Sequence, residues 1–247
     1  MEQQTILFDL DDTLVHCNKY FELVLEQFVD QMQTWYASDE LSAESIRATQ
    51  LEIDTSGVSR HGFTPKHFPQ SLVDTYRHYA ALTGREESEG EREWLIKLGS
   101  SVYDYEVEPY PYMVETLDKL RAQGHELILY TGGVAAIQRK KVKALSLEAY
   151  FGSRVHVSLH KTASSLETIL RREKRDRGRT WMIGNSLRTD IVPALETGIH
   201  AVYIPAVLEW SYNMIEVTIK PKGAFLTLRS LSEVPNAIAS YRRQPNS

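Results

Sequence analysis

Two aspartates near the start of the chain, Asp9 and Asp11, are the residues best placed to do chemistry. They lie in the stretch Phe-Asp-Leu-Asp-Asp-Thr-Leu at residues 8–14, directly after the apolar run 5–8, which is typical of a buried β-strand. Like charges about 4 Å apart repel each other by roughly 4 kcal/mol at an effective dielectric constant of about 20. The pair therefore needs a shared proton or a cation, and a divalent metal ion is the usual solution.

The same residues could also form an acidic turn without chemistry, since Asp and Thr commonly end a strand and cap the following helix. An EF-hand calcium loop is excluded. Counted from Asp9, the sixth position is Leu14 where Gly is needed, and the twelfth is Tyr20 where Glu is needed. A functional pair must therefore find its partners elsewhere in the chain.

The second half of the chain alternates short apolar runs with amphipathic segments, which predicts a parallel sheet with helices on both faces. We therefore expect an α/β core of three layers with a Rossmann-like parallel sheet. The predicted strands are 126–130, 155–159, 181–183 and 201–204, and the predicted helices are 134–145, 165–172 and 190–197.

Polar residues and glycines follow the runs 5–8, 126–130, 155–159 and 181–183, at the strand ends where the ligand crevice of such a sheet lies. Singly, each of these residues is explained by a turn, a solvated loop or a helix cap. Together they supply the acids, hydroxyl, ammonium and amide that phosphoryl transfer requires. In strand order they are Asp9 and Asp11, then Thr131, Gly132 and Gly133, then His160 and Lys161, then Gly184, Asn185, Ser186 and Asp190.

This order resembles the haloacid dehalogenase-like hydrolases, specifically their metal-dependent phosphatase branch with a helical cap. Asp9, Asp11 and Thr13 match the Asp-x-Asp-x-Thr motif of that family. Thr131 matches its Thr or Ser after the second strand, and Lys161 matches its lysine. The stretch Gly-Asn-Ser-Leu-Arg-Thr-Asp at 184–190 is similar to its Gly-Asp-x-x-x-x-Asp motif.

The resemblance implies a Mg²⁺-dependent phosphomonoester hydrolase that acts on a small phosphorylated metabolite through an aspartyl-phosphate intermediate. Asp9 would be the nucleophile and Asp11 the general acid and base. The implied contacts to the phosphorylated substrate are Thr13, Thr131, Gly132 and Lys161, and the implied Mg²⁺ ligands are Asp9, the backbone carbonyl of Asp11, Asn185 and Asp190.

Two positions depart from the family pattern. Asn185 stands where Asp is commoner, and its neutral amide lowers the charge of the metal site, so we expect weaker Mg²⁺ binding. Gly132 stands where many relatives carry Asn, which affects one phosphate contact.

Residues 15–108 do not follow the alternation of strands and helices. We expect a catalytic core of residues 1–14 and 109–247, and the resemblance implies that 15–108 form a helical cap that closes over the site. The predicted helices are 21–36, 43–51, 70–82 and 91–103, with an irregular loop at 54–69.

Basic side chains of this loop are the candidate substrate contacts of the insertion, although an ordinary polar surface loop would look the same. The candidates are Arg60, His61 and Lys66, with His67 beside them. A zinc site formed by His61, His67 and His78 is disfavoured, because their spacing matches no known set of ligands.

Composition narrows the class of protein. The 247 residues carry a net charge of -5, which disfavours nucleic acid and anionic membranes as partners. A single cysteine, Cys17, excludes an internal disulfide and a site with several cysteine ligands. No apolar run approaches 18 residues, and no basic segment followed by an apolar one opens the chain. We therefore expect a soluble, cytoplasmic protein, and the sequence does not predict its oligomeric state.

The sequence argues against some of the other functions known on this fold and leaves one open. A dehalogenase would need neither the metal nor an acid at position 11, so Asp11 argues against it. A phosphomutase keeps both acids and stays open. A non-catalytic binding protein on a degenerate fold is disfavoured by the intact Asp9, Asp11 and Lys161.

Overall fold

Residues 2–241 are described by the computed structural model, and they divide into two units. The first comprises the described residues of the ranges Met1–Asn18 and Val107–Ser247, and the second is Lys19–Glu106. The sequence-based division, after residues 14 and 108, lies close to this one.

Among the described residues the first unit contains a sheet of six parallel strands in the order β3-β2-β1-β4-β5-β6. The strands are β1 (Thr5–Phe8), β2 (Glu126–Gly132), β3 (Val155–Ser158), β4 (Thr180–Gly184), β5 (His200–Tyr203) and β6 (Phe225–Thr227). The helices of both units are α1 (Asn18–Trp35), α2 (Ala43–His61), α3 (His67–Thr83), α4 (Glu89–Ser100), α5 (Met113–Ala122), α6 (Ala135–Ala144), α7 (Glu148–Phe151), α8 (Ala163–Arg172), α9 (Val192–Thr197) and α10 (Val234–Tyr241).

The central strand β1 is buried on both faces, which explains its unbroken apolar sequence. Because successive side chains alternate between faces, Ile6 and Phe8 pack on one side of the sheet and Leu7 on the other. Helices α5 and α10 contribute to the first cluster, and α8 and α9 to the second. The predicted three-layer α/β core is therefore confirmed.

The structure adds elements that the sequence pattern did not reveal. Strand β6 is only three residues long and partly exposed, so it lacks the apolar run of a central strand. The helix predicted over 190–197 begins three residues earlier. Its first part is a π-helical turn, Leu187–Ile191, which continues into α9.

The second unit is helical and has its own core, formed mainly by α1, α3 and α4. The prediction of an irregular loop over 54–69 is wrong at both ends, because α2 continues to His61 and α3 begins at His67. Apolar periodicity fades after Leu51 since the face of α2 toward α3 is polar. The Gln50 side chain donates to Ser71 Oγ at 3.0 Å, and His67 Nε2 lies 2.7 Å from the carbonyl oxygen of Asp54.

Among the described residues, no helix has both the length and the apolar character that crossing a membrane requires.

Candidate active site

The site lies where β1 ends between its two neighbours, β2 and β4. The amide of Asp9 donates to the carbonyl oxygen of Ile183 at 2.9 Å, so the ladder with β4 continues one residue past β1. This bond fixes the backbone from which the Asp9 side chain projects. Of the residues predicted at the other strand ends, Lys161 bonds to Asp9 directly.

A buried lysine joins two of the predicted carboxylates. Lys161 Nζ donates to Asp9 Oδ1 at 2.6 Å and also to Asp190 Oδ1. The Lys161 side chain is only 2% exposed, and Asp9 and Asp190 are buried with it. One ammonium therefore faces two carboxylates away from bulk water, where unpaired charge is costly.

Burial dominates the electrostatics of Asp9. It raises the pKa of the Asp9 carboxyl to about 7, opposed by Lys161 and assisted by the negative charge of Asp190. Burial alone would lower the pKa of Lys161, but Asp190 and Asp9 outweigh it and raise that pKa, so the side chain stays an ammonium. A bound cation would favour the ionised form of Asp9 in the same way as Lys161 does.

The position of Asp190 depends on a glycine. Asp190 Oδ2 accepts from the backbone amide of Ser186 at 3.0 Å, and a Cβ on Gly184 would lie 2.2 Å from that same oxygen. Only a residue without a side chain lets β4 approach the carboxylate so closely. Gly184, the first residue of the 184–190 stretch, is therefore needed for the close packing of β4 against Asp190.

Oxygen atoms suited to a hard cation converge beside Asp9. Thr13 Oγ1 lies 3.2 Å from Asp9 Oδ2 and 3.4 Å from Asn185 Oδ1, and Asn185 is buried. Carboxylate and amide oxygens are ligands that Mg²⁺ accepts. Both oxygens of Asp190 already accept hydrogen bonds, from Lys161 and Ser186, so its proposed contribution is chiefly charge.

Within residues 2–241, no group of three or more His, Cys, Asp or Glu side chains is arranged to hold a metal ion. The amide of Asn185 and a backbone carbonyl would therefore have to complete a magnesium site around Asp9. The donor chemistry fits Mg²⁺, which retains water ligands and often takes only one or two carboxylates from the protein.

Asp11 is held by two residues that sequence reasoning missed. Gln138 Nε2 donates to Asp11 Oδ2 at 2.8 Å, and Lys141 Nζ donates to Asp11 Oδ1 at 2.5 Å. Gln138 also contacts Thr131 Oγ1 at 2.7 Å and the carbonyl oxygen of Gly132 at 2.7 Å. The only signal in the sequence was their spacing of three residues on a predicted helix, which places both on one face without identifying the partner.

Asp12, the third aspartate of the stretch 8–14, caps a helix. It adopts a left-handed backbone conformation with φ of 57°, and its carboxyl accepts from the amides of Cys17 at 3.0 Å and Asn18 at 2.9 Å, where α1 begins. Burial raises the pKa of Asp12 to about 7 although both amides oppose this shift. The helix-capping interpretation of the acidic turn thus applies to Asp12, whereas Asp9 and Asp11 have other partners.

The candidate substrate contacts of the insertion, Arg60, His61 and Lys66, are exposed in the helical unit. Arg60 Nη2 donates to Ser56 Oγ at 2.9 Å, within α2. Their contact with substrate stays a prediction. His67 instead packs between helices, where its pairing with Asp54 raises its pKa.

A family model of the haloacid dehalogenase-like hydrolases matches residues 3–198, a range that includes all the motif residues described above. The chain belongs to this family. The predicted resemblance is confirmed, and so is the prediction that this hydrolase is an enzyme.

Two relatives of this hydrolase have named activities. This chain is 24% identical over 251 residues to glyceraldehyde 3-phosphate phosphatase of Methanocaldococcus jannaschii. The match covers 96% of this chain and 98% of that protein. It is 27% identical over 151 residues to pyrophosphatase PpaX of Halalkalibacterium halodurans, covering 61% of this chain and 58% of PpaX. The chain thus matches little more than half the length of PpaX. At this coarse level the prediction of a haloacid dehalogenase-like phosphatase is confirmed.

A solved structure supports the fold of this hydrolase. A haloacid dehalogenase-like family hydrolase from Xanthomonas campestris superposes with a TM-score of 0.77 at 22% sequence identity, covering 98% of this chain and 95% of that one. At this identity the likeness concerns the fold.

Proposed function

We propose that this hydrolase releases orthophosphate from small phosphomonoesters with the help of Mg²⁺, through an aspartyl phosphate on Asp9. The observation that carries the proposal is the buried position of Asp9. The residue stands at the end of β1, with Lys161 on one carboxyl oxygen and Thr13 beside the other. Asp11 lies two residues further along the same turn.

Asp9, Asn185 and the backbone carbonyl of Asp11 would hold the metal, with the charge of Asp190 behind them. When bound, Mg²⁺ offsets the negative charge that the Asp9 carboxylate and the phosphoryl group bring together. Lys161 supplies one positive charge to the same region and is already ordered by Asp9 and Asp190.

The reaction divides into two displacements at phosphorus. An Asp9 carboxylate oxygen bonds to phosphorus while the bond from phosphorus to the leaving oxygen breaks, and Asp11 gives its proton to that oxygen. The oxygen of a water molecule then bonds to phosphorus while Asp11 takes a proton from it. The bond between Asp9 and phosphorus breaks and orthophosphate leaves.

Two side chains would bind the transferring group during both steps. Thr131 is fully buried, and its hydroxyl lies 2.7 Å from Gln138 Nε2, which fixes its position. The hydroxyl accepts from Gln138 and donates to the carbonyl oxygen of Gly132 at 3.4 Å, a long bond that it would exchange for one to a phosphoryl oxygen. Lys161 would offset charge on the same group.

The proposal is tested by a phosphatase screen of the purified full chain with Mg²⁺. The substrates would include glyceraldehyde 3-phosphate and pyrophosphate, which the names of the two relatives suggest, and p-nitrophenyl phosphate. We expect release of orthophosphate that falls about a thousandfold or more in Asp9→Asn. Asp118→Asn, an exposed aspartate of α5, serves as the matched control and should be as active as wild type.

Other outcomes would decide against the proposal. Activity that survives in Asp9→Asn would refute the nucleophile. An isomerised ester in place of orthophosphate would identify a phosphomutase. Complete inactivity of the wild-type protein across the screen would favour a binding protein on this fold.

A further inference from the structure

Helix α6 bonds to both carboxyl oxygens of Asp11. Gln138 Nε2 donates to Oδ2 at 2.8 Å, and Lys141 Nζ donates to Oδ1 at 2.5 Å. Residues three apart on a helix share one face, so a single rigid element presents both donors. With two bonds at two oxygens, the carboxyl group cannot rotate freely about its Cβ–Cγ bond.

Gln138 also ties Asp11 to the last two residues of β2. Its Nε2 lies 2.7 Å from Thr131 Oγ1 and 2.7 Å from the carbonyl oxygen of Gly132, and the residue is 2% exposed. An amide nitrogen carries two hydrogens, so the three acceptors share two donors. A displacement of Gln138 would therefore weaken the hydrogen bonds to Asp11 and Thr131 together.

Gly133, the residue after β2, lies next to the Gln138 side chain. A Cβ on Gly133, whose φ is +125°, would lie 3.4 Å from Gln138 Cγ and Cδ. The turn after β2 thus closes directly on the Gln138 side chain. Lys141 is less enclosed, with 18% of its side chain exposed, and its Nζ lies 3.8 Å from Cys17 Sγ.

We infer that Gln138 and Lys141 are positioning residues, which orient the Asp11 carboxyl for proton transfer to the leaving oxygen and later from the attacking water. The inference rests on the proposed function and adds two residues to it. A merely structural anchor would affect all substrates alike. An orienting pair matters most where the leaving oxygen needs a proton, because such a group cannot depart unaided.

The test compares two esters of similar shape in Gln138→Met and Lys141→Met. The leaving group of p-nitrophenyl phosphate departs readily as an anion, whereas that of phenyl phosphate depends more on protonation. The parameter measured is kcat/KM, since it reports only the steps up to phosphoryl transfer to Asp9. We expect it to fall about a hundredfold for phenyl phosphate and less than about tenfold for p-nitrophenyl phosphate. Lys140→Met, an exposed lysine of the same helix, is the matched control and should stay within about twofold.

Rapid mixing supplies a second readout. Since the attack of water on the aspartyl phosphate also needs Asp11, the variants should release about one equivalent of p-nitrophenol in a burst before slow turnover. Lys141→Arg, which keeps a donor and the charge, should recover part of the loss. If Gln138→Met fails to fold, Lys141→Met carries the test by itself, because the same difference between the two esters is expected of it.

Equal losses for both esters, or no loss, would overturn the inference while leaving the proposed function intact. If wild type and Asp9→Asn were equally inactive on both esters, the proposed function would fail and the inference with it.

Discussion

At the scale of single residues, Asn185 sets this site apart from the motif that it resembles. Its buried amide oxygen lies 3.4 Å from Thr13 Oγ1, beside Asp9, and carries no formal charge. The negative charge of the proposed magnesium site then comes from Asp9 and Asp190. Much of the charge on Asp190 is already opposed by Lys161.

We expect Asn185→Asp to strengthen Mg²⁺ binding, because it adds a carboxylate where the amide oxygen now lies. A gain of about 1.4 kcal/mol corresponds to a tenfold lower Kd. Isothermal titration calorimetry with Mg²⁺ alone measures this directly. Asn236→Asp adds the same charge on an exposed position and should leave the Kd unchanged. An unaltered Kd in Asn185→Asp would contradict the expectation.

Gly184 offers a second test at this scale. A Cβ there would lie 2.2 Å from Asp190 Oδ2, so Gly184→Ala must displace the carboxylate that holds Lys161. We expect a loss of about 1–3 kcal/mol in the free energy of unfolding and a large fall in phosphatase activity. Urea denaturation and the phosphate assay check the two parts. The matched control is Gly90→Ala in α4, where the nearest atom is 3.8 Å away; unchanged activity in Gly184→Ala would disprove the packing argument.

At the scale of elements, the polar face between α2 and α3 explains why the helical unit was the hardest part to predict. Gln50 bonds to Ser71, and Asp54 pairs with His67, whose ring lies so close to Gly57 that a Cβ there would be 1.7 Å from it. The helix therefore continues through residues without apolar periodicity, because buried polar groups pair across the interface.

The pairing of His67 with Asp54 predicts a pH dependence of stability. Asp54 raises the pKa of His67 above its usual 6.5, so the contribution of the ion pair is fully present below about pH 6.5 and is lost as the pH rises through the raised pKa. We expect His67→Leu to lower the free energy of unfolding by about 1–3 kcal/mol in mild acid, because Asp54 loses its partner.

Urea denaturation of wild type and His67→Leu at about pH 5.5 and about pH 8.5 measures the difference. The gap between the two proteins should narrow at the higher pH. His78→Leu, on an exposed position of α3, is the control and should differ little from wild type at either pH. A gap that widens with pH would show that the sign is wrong.

At the scale of the whole molecule, strand order determines which residues meet. Strand β1 lies between β2 and β4 in the sheet. Both neighbours come much later in the chain: β1 ends at Phe8, and β2 begins 118 residues further on, at Glu126. The parallel direction of the strands brings all their carboxyl ends to one edge of the sheet. One edge thereby receives Asp9, Thr131 and Asn185.

Because ligand binding stabilises only the folded protein, Mg²⁺ should raise the thermal midpoint of the core. Saturation at about 100 times the Kd contributes about 2.7 kcal/mol, which corresponds to roughly 5–10 °C in a domain of this size. Differential scanning calorimetry with and without Mg²⁺ measures the shift. We expect a smaller shift in Asp9→Asn, and an equal shift would place the ion elsewhere.

The sequence by itself determined the fold class and the three charged residues at the centre of the candidate site. Apolar runs and the polar residues that follow them are local features, so β1, β2 and β4 could be recognised, and Asp9, Lys161 and Asp190 were predicted together. Structure brings these three side chains into hydrogen-bonding distance. Their chemical roles stay proposals.

Tertiary structure alone decided the contacts of residues whose types suggest nothing special. Gln138 and Lys141 reach Asp11 across 127 and 130 residues of sequence. A glutamine and a lysine on an amphipathic helix are ordinary surface residues until the fold places them beside Asp11. Periodicity identifies the face of a helix, whereas the partner of that face is fixed by strand order, and strand order is a property of the folded chain.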